Sequence, residues 1–404
     1  MGSQRGEHQH PDLEEVLKMP RVLIIQAQMK RYRAPFFQRL YEALKQDDIE
    51  LRVAYSAPNA IDRRRNDSAE LPPEYGRKAT AIWLANRFIY QALWREIWRA
   101  DLIIVGNENK FLINPILLAL ARIKLKLVAF WGIGAEETQI RSSKLSSWIR
   151  DRTLNAVHWW FAYTDDSAAK LRLYGVTCGI TGVQNAVDTT ELRRCAANTD
   201  EKGRTQLAKN YGIGSGPVAI FCGALSPSKH LLFLLSAARL IRAKIPNFEL
   251  LIVGDGPLRD LVEKSVQANP WIHYLGPKFG RDKALALSVA QVFLLPGNVG
   301  LAVLDSFAAG LPLITTDIPI HGPEVSYLQS GVNGLMTPHD IEAYAAATVE
   351  LLGCREQLAR LSNAAREAGA HYTIEEMAQR YHGGIVQCLA RYHRLDSAPA
   401  ACDI

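Results

Sequence analysis

The chain has 404 residues, too many for one small core and about right for two domains of ordinary size. Apolar residues make up 48% and charged residues 22%, which excludes a disordered, collagen-like or coiled-coil chain. The net charge of +6 is unevenly placed, with 29 Lys and Arg against 23 Asp and Glu in residues 1–200 and 18 against 18 in residues 201–404. Within residues 19–190 the count is 25 against 17, so the first half is expected to face an anionic partner or membrane surface, and no nucleic acid is expected.

The N-terminal residues 1–19 are polar and read as a tail, without the apolar core of a targeting segment. From Arg21 onward a short apolar strand is followed repeatedly by a helix with apolar residues at helical spacing. That is the pattern of a parallel sheet covered on both faces. Strands are expected at 22–27, 51–55, 102–105, 127–131, 159–163 and 179–181, with helices at 35–45, 87–98 and 143–155. Residues 56–80, with Arg63-Arg64-Arg65 and Pro72-Pro73, lack periodicity and read as a long loop. The run FLINPILLALA at 111–121 is broken by Asn114 and Pro115 and is shorter than the roughly 20 residues that span a bilayer.

A polar, glycine-containing stretch at 191–215 reads as a linker, and the alternation then resumes. Strands are expected at 218–222, 249–253, 272–275, 292–295 and 313–315. The expected organisation is therefore an acceptor-side domain at 20–190, a second domain at 216–372, a last helix at 373–395 that returns to the first domain, and a tail at 396–404. Both domains are doubly wound α/β units, and their ligands are expected in the cleft where the carboxyl ends of the two sheets meet. Six cysteines without CxxC spacing indicate neither zinc nor a disulfide framework, which fits a reducing, cytoplasmic compartment.

Three segments at strand ends of the second half can carry chemistry. Gly223-Ala224-Leu225-Ser226-Pro227-Ser228-Lys229 runs from a strand into a helix and puts a lysine where a phosphate could meet it. In Gly254-Asp255-Gly256-Pro257 the aspartate or Gly256 can cap the next helix, with Pro257 in its first turn. In the segment from Pro296 to Gly310, Asn298 can cap a helix whose first amides, those of Val299 and Gly300, would point at an anion. Asp305 lies among Leu301, Val303, Leu304 and Phe307, so its carboxylate needs a partner, either ribose hydroxyls or a basic side chain.

The spacing of these segments, followed by Thr315-Thr316-Asp317, His321-Gly322-Pro323-Glu324 and Gly331-Val332-Asn333-Gly334-Leu335, resembles the donor half of the family-4 retaining glycosyltransferases of the GT-B fold. Asn185-Ala186-Val187-Asp188 is similar to the segment that leads into that family's linker. Tyr32-Arg33-Ala34-Pro35-Phe36-Phe37 is similar to the first loop of members that build lipopolysaccharide and other surface glycans. The resemblance covers about 20–395. It implies a hexosyl transfer from a nucleotide sugar such as a UDP- or GDP-hexose to a glycan or lipid-linked glycan, without a metal, at the inner face of the cell membrane.

By that resemblance Gly223, Lys229, Gly254, Gly256, Gly297, Asn298, Val299, Gly300, Leu301 and Asp305 line the donor, with Pro277 and Lys278 beside the base. Lys229 contacts the diphosphate and Asp305, the second acid of the EX7E motif, holds the ribose. Lys229 and Asn298 are the catalytic candidates there, and Glu136 the acceptor-orienting one. Arg31, Arg33, Trp131 and Gly132 fall on the acceptor or diphosphate side.

Three positions depart from the family pattern. Gly297 stands where the first EX7E acid belongs, Ala224 where an arginine is usual and Ile133 where many relatives have a histidine. His158 is expected to pack beside Trp159 and Trp160. Arg31 and Arg33 from the first loop, and Glu136 or Glu137 after the fourth strand, are candidates to compensate. The departures leave two other readings open: a non-catalytic GT-B protein that binds a nucleotide sugar or a partner subunit, and an epimerase of the same fold.

Overall fold

The computed structural model describes residues 19–63, 67–134, 153–198 and 201–396. Two parallel sheets organise it. The first contains β1 (Arg21–Gln28), β2 (Glu50–Ser56), β3 (Gly76–Lys78), β6 (Leu102–Gly106), β7 (Leu127–Gly132), β8 (Trp159–Ala162) and β9 (Gly179–Gly182), in the order β3-β2-β1-β6-β7-β8-β9. The second contains β10 (Val218–Cys222), β11 (Glu249–Val253), β12 (Ile272–Gly276), β13 (Val292–Leu294), β14 (Leu313–Thr316) and β15 (Gly334–Thr337), in the order β12-β11-β10-β13-β14-β15. Every neighbouring pair within these two sheets is parallel.

The central strands are buried along their whole length, as β6 and β10 show. Helices on both faces remove water from both sides, so these strands read as unbroken apolar runs. Strand order reverses between β1 and β6 in the first sheet and between β10 and β13 in the second. Each reversal opens a crevice at the carboxyl ends of the strands, where such folds bind ligands.

Several segments differ from the expectation. Residues 87–98 are not one helix: β4 (Ala81–Leu84) and β5 (Phe88–Gln91) form an antiparallel hairpin, and only Trp94–Arg99 is helical. The β-branched and aromatic residues Ile82, Trp83, Phe88, Ile89 and Tyr90 favour strands over the weaker helical pattern. The loop at 56–80 contains a short helix, Ala60–Arg63, and the edge strand β3. The stretch expected as a linker is helical over Thr190–Asn198 and Glu201–Asn210, and Leu192 is buried. The 143–155 helix lies almost wholly outside the described residues.

The final helix, Ile374–Asp396, packs on helix Ala34–Gln46 and on β8 and β9. Tyr381 stacks on Phe161 with centroids 4.2 Å apart, and Arg39 bonds Glu375 at 2.8 Å. The His158 ring meets Tyr392 edge-on at 4.8 Å, and its Nδ1 accepts from the Val128 amide at 3.2 Å. Among the described residues no helix is long and apolar enough to cross a membrane.

Candidate active site

At the carboxyl ends of the second sheet the loops touch backbone to backbone. The Gly254 amide donates to the Gly276 carbonyl at 3.0 Å, and the Leu225 amide donates to the Asp255 carbonyl at 2.9 Å. A Cβ on Gly254, whose φ is +143°, would fall 1.8 Å from the Gly223 carbonyl oxygen, so only glycine fits there. Asp255 does not cap the following helix, which begins at Arg259. Its Oδ1 accepts from the Gly256 amide instead.

Lys229 closes the Pro227–Lys229 turn after β10 and donates from Nζ to the Asn298 carbonyl. No carboxylate lies within ion-pair distance of it among the described residues. Burial pulls its pKa down to about 8, against the opposing pull of the Glu324 charge. Gly297 is pinned beside it: a Cβ on Gly297 would lie 2.4 Å from both the Lys229 carbonyl carbon and the Ser228 carbonyl oxygen. The Asn298 amide donates to that same Ser228 oxygen at 2.8 Å. The missing acid at 297 is therefore replaced by a close contact between two loops.

The segment after β13 is arranged differently from the sequence expectation. Its helix begins only at Ala302, and Asn298 is not its cap, because Asn298 Oδ1 accepts from the Gly322 amide at 3.0 Å. The Val299 amide is not free for an anion, since it donates to His321 Nδ1 at 3.2 Å. His321 Nε2 donates to the Thr316 carbonyl at 2.6 Å, which fixes the neutral tautomer. Burial, with Lys229 and His230 nearby, holds this imidazole below its ordinary pKa despite the carbonyl bond. Gly300, at φ +50°, keeps its place at the head of the segment beside Leu301.

Asp305 has a protein partner. Lys283 Nζ, on helix Gly280–Ser288, donates to Asp305 Oδ1 at 2.8 Å, and both side chains are largely covered. Burial would lower Lys283, but the adjacent carboxylate outweighs it and holds the ammonium above its ordinary value. The loop Gly276-Pro277-Lys278 leads from β12 toward this helix, with Pro277 exposed and Lys278 half-buried.

Facing these loops, Arg33 is 7% exposed and donates to Asn185 Oδ1 at 2.7 Å while its guanidinium lies 5.1 Å from the Trp131 ring centroid. Arg33 is thus committed to Asn185, and Arg31 stays exposed on the same turn. Asn185 Nδ2 in turn donates to Glu324, 4% exposed, on the Pro323–Tyr327 turn after β14. The Tyr327 hydroxyl donates to the Asn185 carbonyl at 3.2 Å. Burial raises the Glu324 pKa, opposed by the Asn185 bond and the charges of Arg33 and Lys229. A buried polar chain, Arg33 to Asn185 to Glu324, therefore ties the two sheets together next to Lys229. Asn185, His321 and Glu324 stood only as parts of motifs in the sequence, and Lys283 carried no local signal at all.

On the first domain a cavity of about 420 Å³ opens at the carboxyl ends of β1, β6 and β7. Arg33, Trp83, Arg87, Lys110, Trp131 and Tyr163 are among its walls. Trp131 also packs on Phe36 and Tyr381, and among the described residues its indole nitrogen has no acceptor. Gly132 lets Asn107 approach, since a Cβ there would sit 2.1 Å from Asn107 Oδ1. Glu136 and Glu137 lie outside the described residues.

Comparison with known proteins matches residues 216–354 to the family described as glycosyl transferases group 1. The sulfoquinovosyl transferase of Arabidopsis thaliana is 30% identical over 41% of this chain and 32% of that protein. A GDP-mannose-dependent alpha-(1-6)-phosphatidylinositol monomannoside mannosyltransferase of Mycobacterium tuberculosis is 24% identical over 48% of this chain and 52% of that one. The chain thus spans between about a third and a half of the length of these curated relatives. Anabaena HepE, solved in complex with UDP, superposes with a TM-score of 0.66 over 91% of this chain and 100% of its own at 15% identity. Residues 216–354 are therefore similar to the glycosyl transferases group 1 family, and they lie within a pair of parallel-sheet domains that share the GT-B fold.

Proposed function

We propose that the protein transfers a hexosyl group from a nucleotide-sugar donor to a saccharide or lipid-linked saccharide, in the manner of the family-4 retaining glycosyltransferases that assemble surface glycans. One observation carries the reading: Lys229 is a mostly buried ammonium on the donor loop, with a carbonyl and, among the described residues, no carboxylate for a partner. A diphosphate placed there would supply the missing anion, and the charge that develops on it as the glycosidic bond breaks would be met by a cation already in position. The ribose lies in this reading against Asp305 and Lys283, one accepting and one donating. The base lies along Gly276-Pro277-Lys278. HepE binds UDP in the same fold, and the Mycobacterium tuberculosis relative is named for a GDP-mannose donor, which supports a nucleotide-sugar here.

In this reading the acceptor enters the first-domain cavity beside Trp131 and Trp83. The departing phosphate takes the acceptor proton, so neither a protein base nor a metal is needed, and retention follows from attack on the face the leaving group vacates. Glu324, bonded to Asn185, acts on Lys229 only through its charge and leaves the ammonium's place for an anion open.

Asp305→Ala tests the donor half. Nucleoside diphosphate affinity measured by calorimetry is expected to fall about tenfold or more, from loss of charge-assisted hydrogen bonds of roughly 1.5 to 3 kcal/mol. The circular dichroism spectrum below the melting transition is expected to stay unchanged, while the melting temperature falls because the largely covered Lys283 loses its carboxylate. Unchanged affinity would take the ribose away from this helix.

A further inference from the structure

The first domain carries a second surface that the donor chemistry does not use. The hairpin turns its two faces to different surroundings. On the inner face Trp83 and, from the loop, Asn86 and Arg87 line the cavity. On the outer face Ile82 and Leu84 are 59% and 52% exposed, and their cross-strand partners Tyr90 and Phe88 share that face. The Tyr90 hydroxyl accepts from the Trp94 indole at 3.1 Å, which continues the same face onto helix Trp94–Arg99. There Ile97 points inward, while Trp94 and Trp98, four residues apart, stay exposed together.

The surface closes into a continuous patch. Lys126 donates to the Trp98 and Ala100 carbonyls at 2.7 Å, joining the end of that helix to the turn after helix Asn114–Arg122. This turn exposes Ile123 and Leu125, 62% and 54% accessible, and the helix adds Ile116 on its outer side while Leu117 and Ala121 face the core. The Leu112 amide donates to the Ile89 carbonyl at 3.0 Å, which returns the path to the hairpin.

The charge of this segment is predominantly positive. Residues 82–126 hold seven cations, Arg87, Arg95, Arg99, Lys110, Arg122, Lys124 and Lys126, against Glu96, Asp101 and Glu108. The acids are already engaged: Glu96 by Arg77, Glu108 by Lys110, and Asp101 by the Arg21 amide. Arg95, Arg99, Arg122 and Lys124 pair with no carboxylate among the described residues. Exposed tryptophans and aliphatic side chains ringed by unpaired arginine and lysine match an anionic bilayer surface, where apolar groups enter the headgroup boundary and cations meet lipid phosphates.

We propose that the outer face of the hairpin, helix Trp94–Arg99 and the 112–126 segment docks on an anionic lipid bilayer. Docking there sets one wall of the first-domain cavity, through Trp83 and Arg87, at the lipid surface. The inference rests on the patch alone and stands or falls independently of the donor chemistry.

Vesicle sedimentation of the full chain tests it. The protein is expected to pellet at low salt with phosphatidylglycerol-containing vesicles, to remain in solution with phosphatidylcholine alone, and to be released by salt. The Ile82→Ser/Leu84→Ser and Arg122→Glu/Lys124→Glu pairs are each expected to weaken partitioning at least about tenfold. Their melting temperature and nucleoside diphosphate affinity, measured alongside, are expected to match those of the parent. No retention on anionic vesicles would overturn the proposal, as would equal retention on neutral ones or equal retention of both variants. Concentration-dependent self-association that the Ser pair abolishes, without vesicle binding, would assign the face to a second copy of the chain instead.

Discussion

Installing the acid that the family pattern calls for, Gly297→Glu, is expected to inactivate the protein rather than improve it. The first atom of any side chain at 297 falls 2.4 Å from the Ser228 carbonyl oxygen and the Lys229 backbone, and neither is a flexible side-chain end that could swing aside. The loop after β10 or the segment after β13 must move. Either movement strains the Asn298 to Ser228 hydrogen bond and the Lys229 to Asn298 contact together. Overpacking of this kind costs about 1–3 kcal/mol of stability. Displacing Lys229 from the diphosphate is expected to cost on the order of a hundredfold in kcat/KM, the scale for losing one preorganised donor at a developing charge. Gly297→Ala should show most of the same loss, because Cβ alone makes the clash. A stable, more active Gly297→Glu enzyme, measured by melting and by donor turnover, would show that the loops open to admit a carboxylate and that Gly297 is an ordinary loss.

Replacing Lys229 is expected to have the opposite signature, with activity lost and stability kept. The ammonium is mostly buried and satisfied by one carbonyl, so Lys229→Met removes a desolvated charge along with one hydrogen bond. The melting temperature at pH 7 should change little. The transfer rate should fall about 10²- to 10³-fold, with kcat suffering more than donor affinity, because the lysine meets charge that is greatest in the transition state. The pH dependence has a definite sign. A lysine lowered to about 8 in the folded protein is held more weakly protonated than in the unfolded chain, so between about 8 and its ordinary value stability rises with pH. Donor affinity moves the other way. It should be level below about pH 7 and weaken by up to about tenfold by pH 9, as the free lysine loses its proton. An affinity flat from pH 7 to 9 in the parent protein would remove Lys229 from the diphosphate.

Much of the architecture is legible in the chain because fully buried parallel strands are continuous apolar runs. β1, β6, β7, β10 and β11 needed no tertiary information. The β4–β5 hairpin was harder, because its three-residue loop puts Ala85 and Asn86 in the left-handed region, and of the two only Asn86 advertises that conformation in sequence. β15 follows a Gly-Val-Asn-Gly turn that matched a family motif without being read as a strand start. At the site the local chemistry was visible and its wiring was not. Lys229, Gly297 and Asp305 could be picked out where they stand. The partners at the site come from residues 22 to 139 positions away: Lys283 for Asp305, His321 for the Val299 amide, Asn298 for Lys229, Glu324 for Asn185. Capping rules placed Asn298 on its own helix, and the fold spent it on the next loop at Gly322.

The central claim is that the cleft face of the second sheet holds a nucleotide-sugar through its diphosphate. Titration of the purified protein with UDP-, GDP- and dTDP-sugars, with donor hydrolysis followed in the same samples, tests it most directly. Saturable binding of at least one of them, abolished by competing nucleoside diphosphate and accompanied by slow hydrolysis that membrane extracts convert into transfer, is the predicted result. Binding with neither hydrolysis nor transfer would contradict a transferase, and binding of none would contradict the donor site itself.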